Sequence, residues 1–182
     1  MSDTPTTYSA TQVHELLRRS FAMRAQSYAH FLDVMSEHLG AARALELGKQ
    51  ATRRMGEQMG AGLAHLEPTD LVGLKDAFLG GIIEGDALFA PQLVQADEQA
   101  LRIHFQRCPL KEAWEAMGRT PEQVRTLCEL AGAIDGGLFE SAGFRFAGTT
   151  WAVGDSGCCR LCVLPGNPDG RADAKSGNQA GA

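Results

Sequence analysis

Apolar side chains recur at steps of three and four residues through the first third of the chain, which is the spacing of one helix face. From Ser9 to Gly40 this repeat predicts a long amphipathic helix that begins with a capping box formed by Ser9 and Gln12. A second helix follows at once and ends before Pro68, so the two helices should form an antiparallel hairpin. A third helix is expected just after Pro68, capped by Thr69 or Asp70. The inward positions expected in the second helix are Ala44, Leu45, Gly48, Ala51, Met55, Met59, Leu63 and Leu66.

The apolar period changes to two near residue 100, as in a strand with one buried face. The first stretch of this kind is Leu101–Arg107. Two more β-compatible stretches, Phe144–Val153 and Cys158–Leu164, flank a glycine-rich turn and predict an antiparallel pair.

Two further helices are predicted between these strands. Pro109–Met117 begins with proline, which is favoured at the first helical position, and Gly118 ends it. The next helix begins at a second capping box on Thr120 and is expected to stop at Gly136 and Gly137. The pattern as a whole predicts an α+β fold, with an N-terminal helical hairpin and further helices packed on an antiparallel sheet.

The length of 182 residues suits one domain, which we place at residues 9–165. We predict a disordered N-terminus at 1–8. The segment 166–182 has no large apolar residue and is rich in Gly, Asn, Asp and Ala, so we predict a disordered tail there.

Charge and hydropathy narrow the range of partners. Seventeen basic against 22 acidic residues give a formal charge of −5, which argues against a nucleic-acid partner. We expect no membrane span, because no apolar run approaches the roughly 18 residues that a spanning helix needs. The start of the chain lacks the features of a signal peptide, so we expect a soluble, cytoplasmic protein. The oligomeric state stays open, a homo-oligomer included.

Five cysteines occur in the second half of the chain, and this odd number predicts reduced thiols rather than a disulfide framework. Cys108 lies where the N-cap of the Pro109–Met117 helix is expected. A helix N-terminus stabilises a thiolate, so Cys108 is the first candidate for a nucleophile. His104 lies four residues earlier on the same strand face, about 13 Å away by strand rise. Both residues also have plain structural interpretations, Cys108 as a small buried cap residue and His104 as an exposed or hydrogen-bonded strand histidine.

Cys128 and Asp135 are seven residues apart in one predicted helix, so they share a face two turns apart. That face is apolar. A carboxylate on a buried face is either a structural anchor at the helix end or a site residue with a perturbed pKa. Cys128 by itself is interpreted as core.

The run from Cys158 to Cys162 contains a Cys-x-x-Cys pair, which suggests zinc. In a strand, however, Cys159 shares one face with Leu161, while Cys158, Arg160 and Cys162 share the other, so the pair diverges. No second metal-binding pair is present. We therefore predict no metal and no cofactor. Nucleophile-elbow, phosphate-loop and dinucleotide motifs are absent as well.

The ordered set of motifs resembles the L-2-amino-thiazoline-4-carboxylic acid hydrolase family over residues 12–164. The residues that carry the resemblance are Leu39–Leu45, Cys108-Pro109-Leu110 with Trp114 and Gly118, Leu127-Cys128-Glu129 with Asp135, and Gly154-Asp155 followed by Cys158-Cys159-Arg160-Leu161. The resemblance implies a bacterial hydrolase that opens the ring of L-2-amino-Δ2-thiazoline-4-carboxylate to N-carbamoyl-L-cysteine, a step in L-cysteine formation. The doubled Cys158-Cys159 leaves open which cysteine corresponds to the family's last one, although Cys159 keeps the pattern of alternating apolar residues after it.

This chemistry needs a nucleophile at the amidine carbon, a carboxylate for the amidinium and a cation for the substrate carboxylate. The nucleophile is expected among Cys108, Cys128 and Cys159, with Cys108 preferred and no metal involved. Asp135 is assigned to the amidinium, and we expect Cys108, Asp135 and Cys159 to converge on one cleft. The remaining candidates are His104 for catalysis and Arg24, Arg102, Arg145, Arg160, Cys128 and Asp155 for substrate binding.

Two other function classes stay open. One is a small-molecule-binding or sensor domain whose cysteine cluster binds zinc. The other is a thiol redox or metal-trafficking protein that uses Cys158, Cys159 and Cys162.

Overall fold

The computed structural model describes residues 7–167. Of the disorder predicted at 1–8 and 166–182, the parts at 1–6 and 168–182 lie outside the described residues. The helices are α1 (Ala10–Leu39), α2 (Ala41–Gly60), α3 (Leu71–Gly80), α4 (Gly85–Leu88), α5 (Pro109–Ala116) and α6 (Pro121–Ser141), with a 3-10 turn at Ala61–Leu63. The strands are β1 (Pro91–Ala96), β2 (Leu101–Phe105), β3 (Arg145–Phe146) and β4 (Arg160–Leu164).

The capping signals in the sequence correctly located the starts of α1, α3, α5 and α6. Ser9 and Gln12 form the predicted capping box at α1, and Thr120 forms the second one at α6. Asp70 caps α3 by accepting from the N–H of Gly73 at 2.8 Å. Cys108 occupies the N-cap of α5 with proline next to it. These signals depend on neighbouring residues alone, which is why the sequence was enough to find them.

The buried face of α2 matches the prediction at Ala44 and Gly48 and differs from it farther along the helix. Met55 and Met59 are 36% and 50% exposed. Helix α2 instead packs its small residues against α6, and α2 and α6 approach so closely that a Cβ at Gly56 would collide with the Ile134 carbonyl oxygen. The buried positions of α2 are Ala44, Gly48, Thr52, Gly56 and Gly60.

The predicted stop of α6 at Gly136 and Gly137 is wrong, because the helix continues to Ser141. Both glycines are buried against α2. A Cβ at Gly137 would meet the backbone oxygen of Arg53, so this position has no room for a side chain. These glycines allow close helix packing and do not end the helix.

The four strands form one sheet in the order β1-β2-β4-β3, with every pair antiparallel. The strand predicted at Phe144–Val153 forms only in part: after β3 it continues as a single bridge between Thr149 and Arg160. Trp151 then leaves the sheet, and its Nε1 donates to the Asp155 carbonyl at 3.2 Å. Strand β1 was not predicted. Its exposed central residues, 92–94, lack the alternation that marks a strand with one buried face.

The helices cover one face of this sheet and confirm the predicted α+β class. Leu101 and Ile103 of β2, with Leu161 and Val163 of β4, point into a core shared with the helices. The indole of Trp114 in that core donates to the Ala25 carbonyl of α1 at 2.8 Å. No helix within residues 7–167 has both the length and the apolarity needed to cross a membrane.

Candidate active site

A cavity of about 370 Å³ lies between α1, the 78–89 segment, the end of β2, α6 and the chain before β4. Its wall is mainly apolar and aromatic. Phe89 contacts both Phe21 and Phe105, with ring centroids 5.5 and 5.6 Å apart. Four of the five cysteines line this cavity: Cys108, Cys128, Cys158 and Cys159.

Cys108 lines the cavity where β2 passes into α5. The pKa of its thiol is lowered to about 7, first by a hydrogen bond from Cys158, then by the N–H groups of Lys111 and Leu110 and by the charge of Arg24. Burial acts in the opposite direction and is outweighed. Near neutral pH, therefore, much of Cys108 is thiolate, the nucleophilic form.

Cys158 is the site residue that the sequence analysis missed. We expected it on the outer face with Arg160 and Cys162, but it lies before β4 and points inward, where it is only 1% exposed. Gly157 causes this turn with a φ of +76°. The pKa of the Cys158 thiol is raised strongly by its contacts with Cys108 and Cys159 and by burial, so it stays protonated. Its Sγ lies 3.7 Å from Cys159 Sγ.

Asp135 faces the same cavity from α6, two turns beyond Cys128. Its pKa is raised to about 7 by loss of hydration and by the negative charge of Cys108. Within residues 7–167 the carboxylate has no ion pair and no hydrogen-bond donor. Since six residues of helix follow it, Asp135 is not an anchor at the helix end. Burial also raises the pKa of Cys128, which stays a protonated thiol.

Of the four arginines proposed to bind the substrate carboxylate, Arg24 lines this cavity. Its guanidinium carbon lies 5.1 Å from the ring centroid of Phe21 and 5.8 Å from that of Tyr28. Its Nε is buried without a hydrogen-bond partner, and no carboxylate pairs with it in the described part of the chain. Arg24 is therefore a cation without a carboxylate partner in the described residues, available to an anion in the cavity.

The other three arginines lie elsewhere, at exposed positions with partners of their own. Arg102 donates to Gln95 at 3.1 Å, Arg145 to the Pro165 carbonyl at 2.9 Å and Arg160 to Asp155 at 3.2 Å. Asp155 also accepts from the N–H of Ala152, and these two bonds hold the pKa of its carboxyl below its usual range. Asp155 belongs to the hairpin loop and not to the cavity lining.

His104 and Cys162 lie on the outer face of the sheet. His104 is in register with Arg160, and its Nδ1 is 3.0 Å from the amide nitrogen of Gln106. Cys162 is in register with Arg102, so Cys159 and Cys162 diverge as the strand pattern predicted. In residues 7–167 no group of three or more His, Cys, Asp or Glu side chains is placed to bind a metal ion.

The structure thus brings together Cys108, Asp135 and Cys159, as the sequence led us to expect, and adds Cys158, Cys128 and Arg24 to them. The profile of the L-2-amino-thiazoline-4-carboxylic acid hydrolase family matches residues 20–163, which include every one of these side chains. The chain belongs to this family. Membership of the hydrolase family supports a hydrolase function for the chain.

Two further comparisons concern sequence and fold. No curated protein matches the chain. Among solved structures, a trafficking protein particle complex subunit 3 from Naegleria fowleri, covalently bound to palmitic acid, resembles it with a TM-score of 0.54. The match covers 82% of this chain and 97% of that one at 12% identity, so it concerns the fold alone.

Proposed function

We propose that this member of the L-2-amino-thiazoline-4-carboxylic acid hydrolase family opens the ring of L-2-amino-Δ2-thiazoline-4-carboxylate to N-carbamoyl-L-cysteine. One observation carries the proposal: a thiol with a pKa of about 7, an unpaired carboxyl and an unpaired guanidinium line the same cavity. The substrate has an electrophilic amidine carbon, a basic amidine and a carboxylate. Each of its polar groups therefore meets a complementary side chain.

Binding depends on Arg24 and Asp135. The Arg24 guanidinium donates paired hydrogen bonds to the substrate carboxylate, a geometry that suits its planar fork. The protonated amidine donates to Asp135, and this cation favours the ionised form of a carboxyl whose pKa in the empty cavity is raised. These two contacts hold the amidine carbon near Cys108.

The reaction then has two steps. The Cys108 thiolate adds to the amidine carbon, and the tetrahedral adduct expels the ring sulfur as a thiolate, which leaves an isothiourea on Cys108. A water molecule adds to the same carbon, and Cys108 departs as a thiolate to leave the urea of N-carbamoylcysteine. The sum is one water consumed per ring opened. Cys158 remains protonated throughout and stabilises the Cys108 thiolate by its hydrogen bond.

The test is to incubate the purified protein with L-2-amino-Δ2-thiazoline-4-carboxylate, follow free thiol, and identify N-carbamoylcysteine by mass spectrometry. We expect activity in the wild type after exhaustive chelation, no activity in Cys108→Ser, and unchanged activity in Cys162→Ser, the matched control on the outer face. Loss of activity on chelation would favour a metal-bound hydroxide as nucleophile. An active Cys108→Ser with an inactive Cys159→Ser would transfer the nucleophilic role to Cys159.

A second candidate function is S-acylation of Cys108, favoured by the apolar wall of the cavity. The structurally similar Naegleria protein is described as covalently bound to palmitic acid. Transfer would join the acyl carbonyl of an acyl thioester to Cys108 and release the donor thiol. Intact-mass measurement after incubation with palmitoyl-CoA tests it: we expect one added palmitoyl group, removable by hydroxylamine and absent in Cys108→Ser. An unmodified wild type excludes this candidate.

A further inference from the structure

Cys158 gives the cavity a second thiol beside the nucleophile, although ring opening consumes only one. Both side chains line the same cavity, and Cys158 makes the largest contribution to the lowered pKa of Cys108. The two thiols therefore share one cavity and interact in different protonation states: the pKa of Cys108 is lowered, whereas Cys158 is held as a thiol. Cys158 is almost fully buried, so its partners are limited to the cavity and its immediate neighbours.

The surroundings of this thiol pair suit the reduction of an O–O bond. Arg24 contributes a positive charge beside Cys108, which stabilises the thiolate and the alkoxide that leaves when the bond breaks. Asp135 holds a proton up to neutral pH and lies in the same cavity, so it can protonate that alkoxide. The apolar wall built from Phe21, Phe78 and Ile82 suits an organic group on the far side of the peroxide.

We propose that this cavity reduces apolar organic hydroperoxides, with Cys108 as the attacking thiol and Cys158 as the resolving thiol. The Cys108 thiolate attacks the terminal oxygen of the hydroperoxide and becomes a sulfenic acid, while the O–O bond breaks and the alkoxide takes a proton to leave as an alcohol. The Cys158 sulfur then attacks the Cys108 sulfur and forms the Cys108–Cys158 disulfide, while the proton of the Cys158 thiol leaves with the hydroxide of the sulfenic acid as water. A dithiol reductant returns both cysteines to thiols and is itself oxidised to a disulfide.

The role of Cys158 distinguishes this reaction from hydrolysis. The hydrolysis uses Cys158 only as a hydrogen-bond donor, whereas peroxide reduction oxidises its sulfur. Cys159, with its Sγ 3.7 Å from that of Cys158, lies close enough to accept the disulfide by exchange. Cys162 lies on the other face of the sheet and takes no part.

The experiment is a single turnover of the reduced full-length protein with one equivalent of cumene hydroperoxide, in the absence of added thiol. We expect one equivalent of cumyl alcohol, the loss of two free thiols and a Cys108–Cys158 disulfide in the peptide map. In Cys158→Ser we expect the alcohol without a disulfide, and a dimedone adduct on Cys108. Cys108→Ser should form no alcohol, and Cys162→Ser should behave as the wild type.

Hydrogen peroxide provides the test of the apolar cavity. We expect cumene hydroperoxide to react at least about tenfold faster, since a single well-buried aromatic group contributes more than the 1.4 kcal/mol that tenfold requires. Equal rates for the two peroxides, a wild type that forms no alcohol, or a disulfide that still forms in Cys108→Ser would each overturn the proposal. Alcohol formation is measured without any thiazoline, so failure of ring opening and failure of peroxide reduction are separate results.

Discussion

The pKa of Cys108 is lowered partly by groups next to it in the chain and partly by distant side chains. The N–H groups of the first turn of α5 come with the cap position. The hydrogen bond from Cys158, which is the largest contribution to its low pKa, and the charge of Arg24 come from residues about 50 and 80 positions away. Two local N–H groups and two distant side chains together outweigh the cost of burial.

The pH dependence of alkylation tests this at the residue scale. Because only the thiolate reacts, the rate of Cys108 modification by iodoacetamide should rise with pH, reach half its maximum near pH 7 and level off above it. Peptide mapping after limited labelling should find Cys108 modified before Cys128 and Cys158, whose pKa values are raised. Cys158→Ala should move the midpoint to higher pH. An unchanged midpoint in that variant would contradict the hydrogen-bond argument.

Asp135 should lower the stability of the protein at neutral and alkaline pH. Its pKa rises from 3.8 to about 7 on folding, so the group favours the folded state fully below pH 3.8 and loses that contribution as pH rises through 7. Asp135→Asn, which carries no charge at any pH, should therefore be more stable than the wild type at pH 8, by up to about 4 kcal/mol. Urea unfolding at several pH values measures the difference in unfolding free energy between the variant and the wild type, which should shrink towards pH 4.

A difference in unfolding free energy between Asp135→Asn and the wild type that stays constant from pH 5 to pH 8 would contradict this account of Asp135. The matched control is Asp155→Asn, because hydrogen bonds from Ala152 and Arg160 lower the pKa of that carboxyl. Asp155→Asn should be slightly less stable than the wild type above pH 4. Opposite signs of the stability change in the two variants would separate an unpaired carboxylate in the cavity from a carboxylate held by hydrogen bonds in the hairpin loop.

At the scale of elements, the molecule depends on the close packing of α2 on α6. The small residues of α2 recur every four positions, and Gly136 and Gly137 face them from α6. Thr52 joins the two helices by donating from its hydroxyl to the Leu130 carbonyl at 2.6 Å. This packing also fixes the direction in which α6 presents Asp135 and Cys128, so it supports the site as well as the fold.

Gly137→Ala should destabilise the protein, because the new methyl group would meet the Arg53 carbonyl, and backbone cannot move aside as a flexible side chain does. We expect a loss of about 1–3 kcal/mol in the free energy of unfolding, the range for overpacking. Gly80→Ala at the end of α3 is the control, since nothing lies within 4 Å of its added methyl. Equal stabilities of the two variants in urea denaturation would show that α2 and α6 can separate without cost.

At the scale of the whole molecule, the cavity exists only because distant segments meet. Arg24 comes from the first helix, Cys108 from the junction of β2 and α5, Asp135 from α6 and Cys158 from the chain before the last strand. The sheet divides the molecule into the side with these groups and the side with His104, Arg102 and Arg160. Which arginine can meet a substrate is therefore decided by the face on which it lies.

Arg24→Ala and Arg102→Ala test this division through the kinetics of ring opening. Arg24→Ala should raise KM by about tenfold or more, because a charged hydrogen bond to a carboxylate contributes about 1.5–3 kcal/mol. Assays well above pH 7 limit the effect of Arg24 on the ionisation of Cys108, so kcat should change less than KM. Arg102→Ala should retain wild-type kinetics, since Arg102 bonds Gln95 on the outer face. A matching rise in KM for Arg102→Ala would contradict this assignment.

The sequence by itself determined the features that depend on near neighbours. Capping boxes and N-caps located the starts of α1, α3, α5 and α6, and the change of apolar period near residue 100 located β2 and the α+β class. It also placed Cys108 at a helix N-terminus and set Cys159 and Cys162 on opposite faces. Each of these inferences uses hydrogen bonds or side-chain directions set within a few residues.

Tertiary structure decided the features that depend on which surfaces meet. The glycines at 136–137 were predicted to end a helix, but they form the contact of α6 with α2 instead. Cys158 turns inward at Gly157, and Arg24 alone among the four candidate arginines lines the cavity. Helix period limits a side chain to a face, but only the packed neighbours decide whether that face is core, cavity or solvent, and the pKa values of Cys108 and Asp135 follow from that packing.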